Sequence, residues 1–219
     1  IGTDLAGTAA IDNLEGIVIL DGDGVVVGGD QNSARNIISG NGIDGVSIDS
    51  DVDGTVVKRN YIGSNVSGFG ALGQNVGIFD SGSNTEISLN LVSGNTFDGI
   101  SLSGPDAVVQ GNKIGVNPIL GALPNGGHGI LLSGAATGRI ENVPSGPPNV
   151  IAHNAGDGIR LDDGSPAVSV SINRNSIFSN GGLAIDFGPD GVTPNDVNDA
   201  DTGANNRQNW PELTSAHQG

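Results

Sequence analysis

The sequence has no cysteine, no methionine, one tryptophan, one tyrosine and eight basic residues against 24 acidic ones. Without cysteine there is no disulfide to staple the fold and no thiolate to hold a metal. With aromatics at 3%, the interior must be filled by Ile, Val, Leu and Ala, which suit narrow, layered strands. No stretch keeps apolar residues at helical spacing for three turns, so helices are not expected. A net charge of −16 and the lack of a basic stripe exclude nucleic acid as a partner and make cations the natural counterpart. No apolar run approaches the roughly 18 residues of a membrane-spanning helix. The chain starts with neither Met nor a signal peptide, and Ile1-Gly2-Thr3-Asp4 falls in the middle of a repeat. It is therefore expected to be a fragment or processed piece of a longer protein.

What is abundant is glycine, at 38 residues, and it marks an internal repeat. Gly precedes a short alternating strand at Gly16-Ile17-Val18-Ile19, Gly45-Val46-Ser47-Ile48, Gly77-Ile78-Phe79, Gly99-Ile100-Ser101-Leu102, Gly129-Ile130-Leu131-Leu132, Gly158-Ile159-Arg160-Leu161 and, degenerately, Gly182-Leu183-Ala184-Ile185. Between them runs Asn-x-apolar-x-x-Asn, from Asn36 to Asn41, Asn60 to Asn65, Asn90 to Asn95, Asn112 to Asn117, Asn149 to Asn154 and Asn175 to Asn180. From the first Asn to the next Gly strand the intervals (Asn36 to Gly45, Asn60 to Gly77, Asn90 to Gly99, Asn112 to Gly129, Asn149 to Gly158) are 9, 17, 9, 17 and 9 residues. Coils therefore alternate between a tight turn and a long loop.

Strands this short cannot bury an apolar face as hairpins, but stacked in parallel about 4.8 Å apart they can. The pattern predicts an all-β, right-handed parallel β-helix of about seven coils, over residues 1–187, followed at 188–219 by an acidic end-of-helix segment and cap, with a linker to a following domain as the alternative. A β-sandwich would not produce the 9/17 alternation. Ile17, Ile19, Val46, Ile48, Ile78, Ile100, Leu102, Ile130, Leu132, Ile159 and Leu161 are expected to line the inside. The outward positions are expected at Val18, Ser47, Ser101, Leu131, Arg160 and Ala184.

The repeat Asn36-Ile37-Ile38-Ser39-Gly40-Asn41-Gly42-Ile43-Asp44-Gly45-Val46 resembles those of right-handed parallel β-helix proteins of bacterial surfaces. The stretch from Ala184 to Asp196 resembles the end-of-helix segment of their large multidomain members. The resemblance covers nearly the whole chain and implies an extracellular or cell-surface location. Such architectures serve adhesins and spacers as well as polysaccharide lyases, hydrolases and epimerases, so the fold does not choose among them.

The Asn columns are expected to be amide ladders, since Asn tolerates left-handed turns and can hydrogen-bond to the Asn of the next coil. Acidic turns follow several Gly strands, at Asp21-Gly22-Asp23-Gly24, at Asp49 to Gly54, at Asp80 and at Asp162-Asp163-Gly164. Asp49-Ser50-Asp51-Val52-Asp53-Gly54 has calcium-loop spacing, but its twelfth position is Asn60 where a bidentate Glu is needed. The stronger calcium candidate is the late acidic loop, with oxygen ligands at Asp190, Asp196, Asn198, Asp199 and Asp201, where Ca2+ would relieve repulsion between carboxylates. Trp210 with Pro211 and Leu213 is expected to cover the final coil.

A lyase needs clustered carboxylates beside an Arg or Lys on one face, and of the expected outward positions only Arg160 is charged. A hydrolase needs paired acids and a His. Gly127-His128-Gly129 and Asp162-Asp163 occur in the reverse order to the polygalacturonase pattern, and His128 reads as a loop residue. Lys58, Arg59, Lys113, Arg160 and Arg174 read as single solvent-facing positions rather than a patch for anionic sugar. The expected function is a non-catalytic segment of an exported surface or adhesive protein, a rigid spacer or glycan-contacting surface. Its partners would be a polysaccharide or cell-surface glycan, or a second copy stacked end to end on an open coil. The alternative is a carbohydrate-active enzyme, a lyase or hydrolase acting on an acidic polysaccharide.

Overall fold

The computed structural model describes residues 1–141, 146–162, 169–188, 191–192 and 195. They form a parallel β-solenoid with three sheets and no helix beyond a single 3-10 turn at Asn32–Ala34. Among the described residues no helix is long and apolar enough to cross a membrane.

Sheet A holds the Gly strands, in the order Ile17–Ile19, Asp44–Ile48, Val76–Asp80, Ile100–Leu102, Ile130–Leu132, Ile159–Leu161 and Ile185–Phe187. Sheet B stacks Val26–Gly28, Val56–Lys58, Glu86–Ser88, Ala107–Gln110, Thr137–Glu141 and Ser169–Asn173. Sheet C stacks Ile37–Ile38, Tyr61–Ile62, Leu91–Val92, Lys113–Ile114, Val150–Ala152 and Ser176–Phe178. Every strand pair is parallel and joins one coil to the next. Counted by steps in which all three sheets pair, the solenoid makes about five turns rather than seven coils, because Ile185–Phe187 has no described counterpart in the other sheets.

Alternation along the Gly strands sends two rows inward. One runs Ile17, Val46, Ile78, Ile100, Ile130, Ile159, Ile185, and the other Ile19, Ile48, Asp80, Leu102, Leu132, Leu161, Phe187. Sheets B and C add Val27, Val57, Ile87, Val109 and Ile140, and Ile38, Ile62, Val92, Ile114 and Ile151. The core is thus one continuous aliphatic column, and its stability comes from contacts between neighbouring coils.

Asp80 is not a solvated turn residue. It occupies a core position between Ile48 and Leu102 and is fully buried. Its Oδ1 accepts hydrogen bonds from Gly82 N–H (3.0 Å) and Thr85 Oγ1 (3.1 Å), while Oδ2 is enclosed without a partner. Burial raises its pKa from 3.8 to about 6, against the lowering effect of those two bonds.

Two amide ladders hold the corners. In the first, each Asn Oδ1 accepts from the Asn of the preceding coil, along Asn36, Asn60, Asn90, Asn112, Asn149 and Asn175. From Asn60 onward each Nδ2 also reaches a sheet B carbonyl, as Asn60 does to Val27 and Asn90 to Val57. Buried amides satisfied this way fix the register of one coil on the next. The left-handed backbone falls one residue earlier than the Asn, at Arg59 (φ 60), Leu89 (φ 59), Gly111 (φ 67) and Arg174 (φ 54).

The second ladder departs from the sequence pattern in the looped coils. Asn13 donates to Asn41, Gln74 to Asn95, Asn95 to Asn125, Asn125 to Asn154 and Asn154 to Asn180. Asn65 and Asn117, expected in this column, instead close the projecting loops. Asn65 Oδ1 accepts from Gly70 N–H and Ser67 Oγ, and Asn117 Oδ1 from Ile119 and Gly121 N–H. Asp4 does the same for Thr8 and Ala9. The inserted loop moves the ladder position to its returning limb, where Gln74 and Asn125 stand.

Candidate functional site

The outward row of sheet A runs Val18, Ser47, Phe79, Ser101, Leu131, Arg160, Asp186. The position expected for Ala184 belongs to Asp186, because the last Gly strand is shifted and Ala184 takes the place of its glycine. This face does carry a charged cluster. Arg160 Nη1 lies 3.1 Å from Asp186 Oδ2 and 3.3 Å from Asp157 Oδ2. His128 Nδ1 lies 3.2 Å from the same Asp157 oxygen. However, Nδ1 also accepts from Asp157 N–H at 3.0 Å, so in this arrangement it has no proton to share with the carboxylate.

The geometry explains what these groups do. Asp98 Oδ1 accepts from His128 N–H (2.7 Å), His128 Nδ1 from Asp157 N–H, and Asp157 Oδ1 from Leu183 N–H (2.6 Å). Each side chain caps the backbone of the next coil, forming a third polar ladder at the entrance to sheet A. Asp44 belongs to the same turn row, and burial together with the nearby Glu15 raises its pKa. His128 is therefore more than a loop residue, and its partners are structural.

The opposite outcome holds for the basic residues. Arg35, Arg59 and Lys113, with Tyr61, line one open groove of about 570 Å³ on the outer face of sheet C, within the roughly 300–1,000 Å³ typical of ligand sites. Its floor is Tyr61, Leu91 and Lys113, consecutive on the sheet C register, flanked by the left-handed corner residues Arg59, Leu89 and Gly111. One wall is the projecting loop Pro118, Ile119, Leu120, and the other is Pro147 and Pro148. A smaller pocket next to it is lined by Lys58, Glu86 and Gln110.

Local chemistry holds each groove residue in place. Arg35 stacks over the Tyr61 ring, Cζ 4.0 Å from the centroid, and its Nε reaches Arg59 O at 3.4 Å. Lys113 Nζ donates to Pro118 O at 2.5 Å, fastening the wall. Gly111 keeps the floor low, since a Cβ there would stand 2.7 Å from Leu89 Cδ2, and its φ is left-handed. The non-glycine residues Arg59, Leu89 and Leu120 are all left-handed, a conformation that carries strain and concentrates at binding sites.

Most other described cations are neutralised. Lys58 pairs with Asp30 at 2.6 Å, lowering the pKa of that aspartate, Arg139 pairs with Glu141, and Arg160 with Asp157 and Asp186. Among the described residues Arg35, Arg59 and Lys113 have no carboxylate partner, and the Nε of Arg59 is enclosed without an acceptor. The sequence reading missed the groove because residues 35, 59, 61 and 113 are far apart in the chain. Only the coil period brings them to one face.

Asp190, Asp196, Asn198, Asp199 and Asp201, the expected calcium ligands, lie outside the described residues, as does Trp210. In the Asp49–Gly54 turn, Asp53 is engaged by Ser83 Oγ and Asn84 Nδ2 of the next coil. Among the described residues no three His, Asp or Glu side chains gather as metal ligands. No family model, curated protein or solved structure matches the chain, so the reading of the groove rests on its own side chains.

Proposed function

We propose that this chain is a non-catalytic solenoid segment of an exported surface protein, and that it contacts a glycan along the groove on sheet C. The observation that carries this reading is the groove itself. It is open and apolar-walled, with Tyr61 on its floor beneath the Arg35 guanidinium and polar side chains at its edges, the combination that lets a sugar ring pack against apolar side chains while its hydroxyls find partners. The parallel stack below it is rigid, because five successive steps are tied by all three sheets and by amide ladders. Support for a non-catalytic role comes from the cluster around Arg160, in which His128 Nδ1 and Asp157 Oδ1 accept from backbone N–H groups and Asp186 Oδ2 pairs with Arg160.

Affinity electrophoresis against a panel of soluble polysaccharides tests the proposal. The parent chain should be retarded by at least one glycan, and Tyr61→Ala should abolish the retardation while leaving the far-ultraviolet circular dichroism unchanged. Unretarded migration on the whole panel, or full retardation of Tyr61→Ala, would overturn the assignment.

A further inference from the structure

Resting on the glycan reading above, we infer that the groove selects an anionic oligosaccharide, with carboxylate or sulfate groups seated at its two cationic ends. The chain carries 24 acidic residues against eight basic ones, so a charged neighbour of a cation is three times as often an acid as a base by composition alone. Lys58, Arg139 and Arg160 follow that rule. Among the described residues Arg35, Arg59, Lys113 and Arg174 form no ion pair, and the first three share one groove. Arg59 acts on Asp30 only through space, so the three cations leave the groove positive, and an anionic ligand is favoured there.

Their placement sets the shape of the ligand. Arg35 and Arg59 stand beside Tyr61 at one end of the groove, where the guanidinium of Arg35 already lies against the ring. Lys113 sits two rungs further along the same sheet register, after Leu91. At about 4.8 Å per rung, the two charged ends are roughly 10 Å apart. That separation matches acidic groups on nearby units of an oligosaccharide, with the half-buried Leu89, beside the buried Leu91, facing the sugar between them. The guanidinium of Arg59 offers planar paired donors suited to a carboxylate or sulfate, whereas Lys113 offers a point charge with donors left after its bond to Pro118 O. At physiological ionic strength charges are screened over about 8 Å, so an anion in the groove feels these cations more strongly than the acidic turns elsewhere on the stack.

The test is titration calorimetry with three probes: short uronic acid oligosaccharides, the same oligosaccharides with their carboxylates reduced to alcohols, and inorganic sulfate. The acidic oligosaccharide should bind at least tenfold more tightly than its reduced form, and sulfate should be weaker still. The double variant Arg59→Asn, Lys113→Met should lose at least tenfold in affinity for the acidic form only. Asparagine accepts the left-handed backbone at residue 59, and methionine keeps the packing of the lysine stem, so folding should be retained. Equal affinity for acidic and reduced forms would overturn the anionic selection while leaving the glycan reading intact. Sulfate binding as tight as that of the oligosaccharide would reduce the groove to a free-anion site and overturn the inference. Binding of no carbohydrate at all would refute both.

Discussion

Replacing Asp80 by asparagine should change the pH dependence of stability, with a sign that reverses across the acidic range. Asp80 lies in the inward row between Ile48 and Leu102, and no charged group faces it among the described residues. Asp53 turns to Ser83 and Asn84, Glu86 accepts from Gln110, and Asp49 and Asp51 are exposed. Burial holds its pKa at about 6, against 3.8 for the free group. The folded chain therefore binds a proton that the unfolded chain has already released. The resulting stability is fully present below about pH 3.8, falls as pH rises, and is lost above about pH 6. A shift of this size corresponds to about 3 kcal/mol. In Asp80→Asn the carbonyl oxygen keeps the bonds from Gly82 and Thr85, and the new amide NH2 takes the place of the partnerless Oδ2, at a cost of about 1–2 kcal/mol at every pH. The variant should be less stable than the parent near pH 3.5, more stable near pH 7.5, and equal near pH 5. Urea unfolding followed by circular dichroism on both chains at each pH measures the difference, so the general effect of titrating the other carboxylates cancels. Parallel stability curves would refute a protonated carboxyl in the core.

Asn90→Ala should cost about 2–4 kcal/mol, because it removes buried bonds to Asn60, Asn112 and Val57 together. Asn65→Ala, which only loosens a projecting loop, should cost about 1 kcal/mol, and equal urea midpoints for the two variants would contradict the ladder switch. For the acidic segment, a calcium site at Asp190, Asp196, Asn198, Asp199 and Asp201 predicts a melting temperature that rises in millimolar calcium, by about 2.7 kcal/mol of stability at a hundredfold excess over Kd. Asp199→Asn with Asp201→Asn should abolish the rise, and identical curves in calcium and chelator would rule the site out. Uronan substrates incubated with the chain should show no cleavage above a heat-treated control, whereas turnover lost in Arg160→Ala would refute the non-catalytic reading.

The solenoid was legible because its period is written in residues that the backbone requires. The glycine at the start of every sheet A strand but the last is packed against the neighbouring coil. A Cβ at Gly45 would stand 2.5 Å from Gly77 O, and one at Gly77 would stand 2.5 Å from Gly99 O. Sheet B carries no such mark, and strands such as Val56–Lys58 and Glu86–Ser88 were not separable from the turns around them. Asp80 was misread because a carboxylate at the end of a strand resembles a turn residue until register places it beside Leu102. Asp186 was missed for a related reason, since Ala184 replaces the glycine that sets the count. The groove left no local signal, because its chemistry comes from residues on different coils.

The left-handed corner of each coil separates two tasks that most protein surfaces combine. In four of the coils the asparagine after it holds the backbone, while the corner residue itself is Arg59, Leu89, Gly111 or Arg174. Its identity can vary as long as it tolerates a positive φ, which excludes β-branched side chains. A lineage of such proteins, or an engineer, can thus rewrite the ligand preference of the groove one corner at a time without disturbing the fold. Altered specificity in this architecture would then be found first in that column of substitutions, with the adjoining asparagines left unchanged.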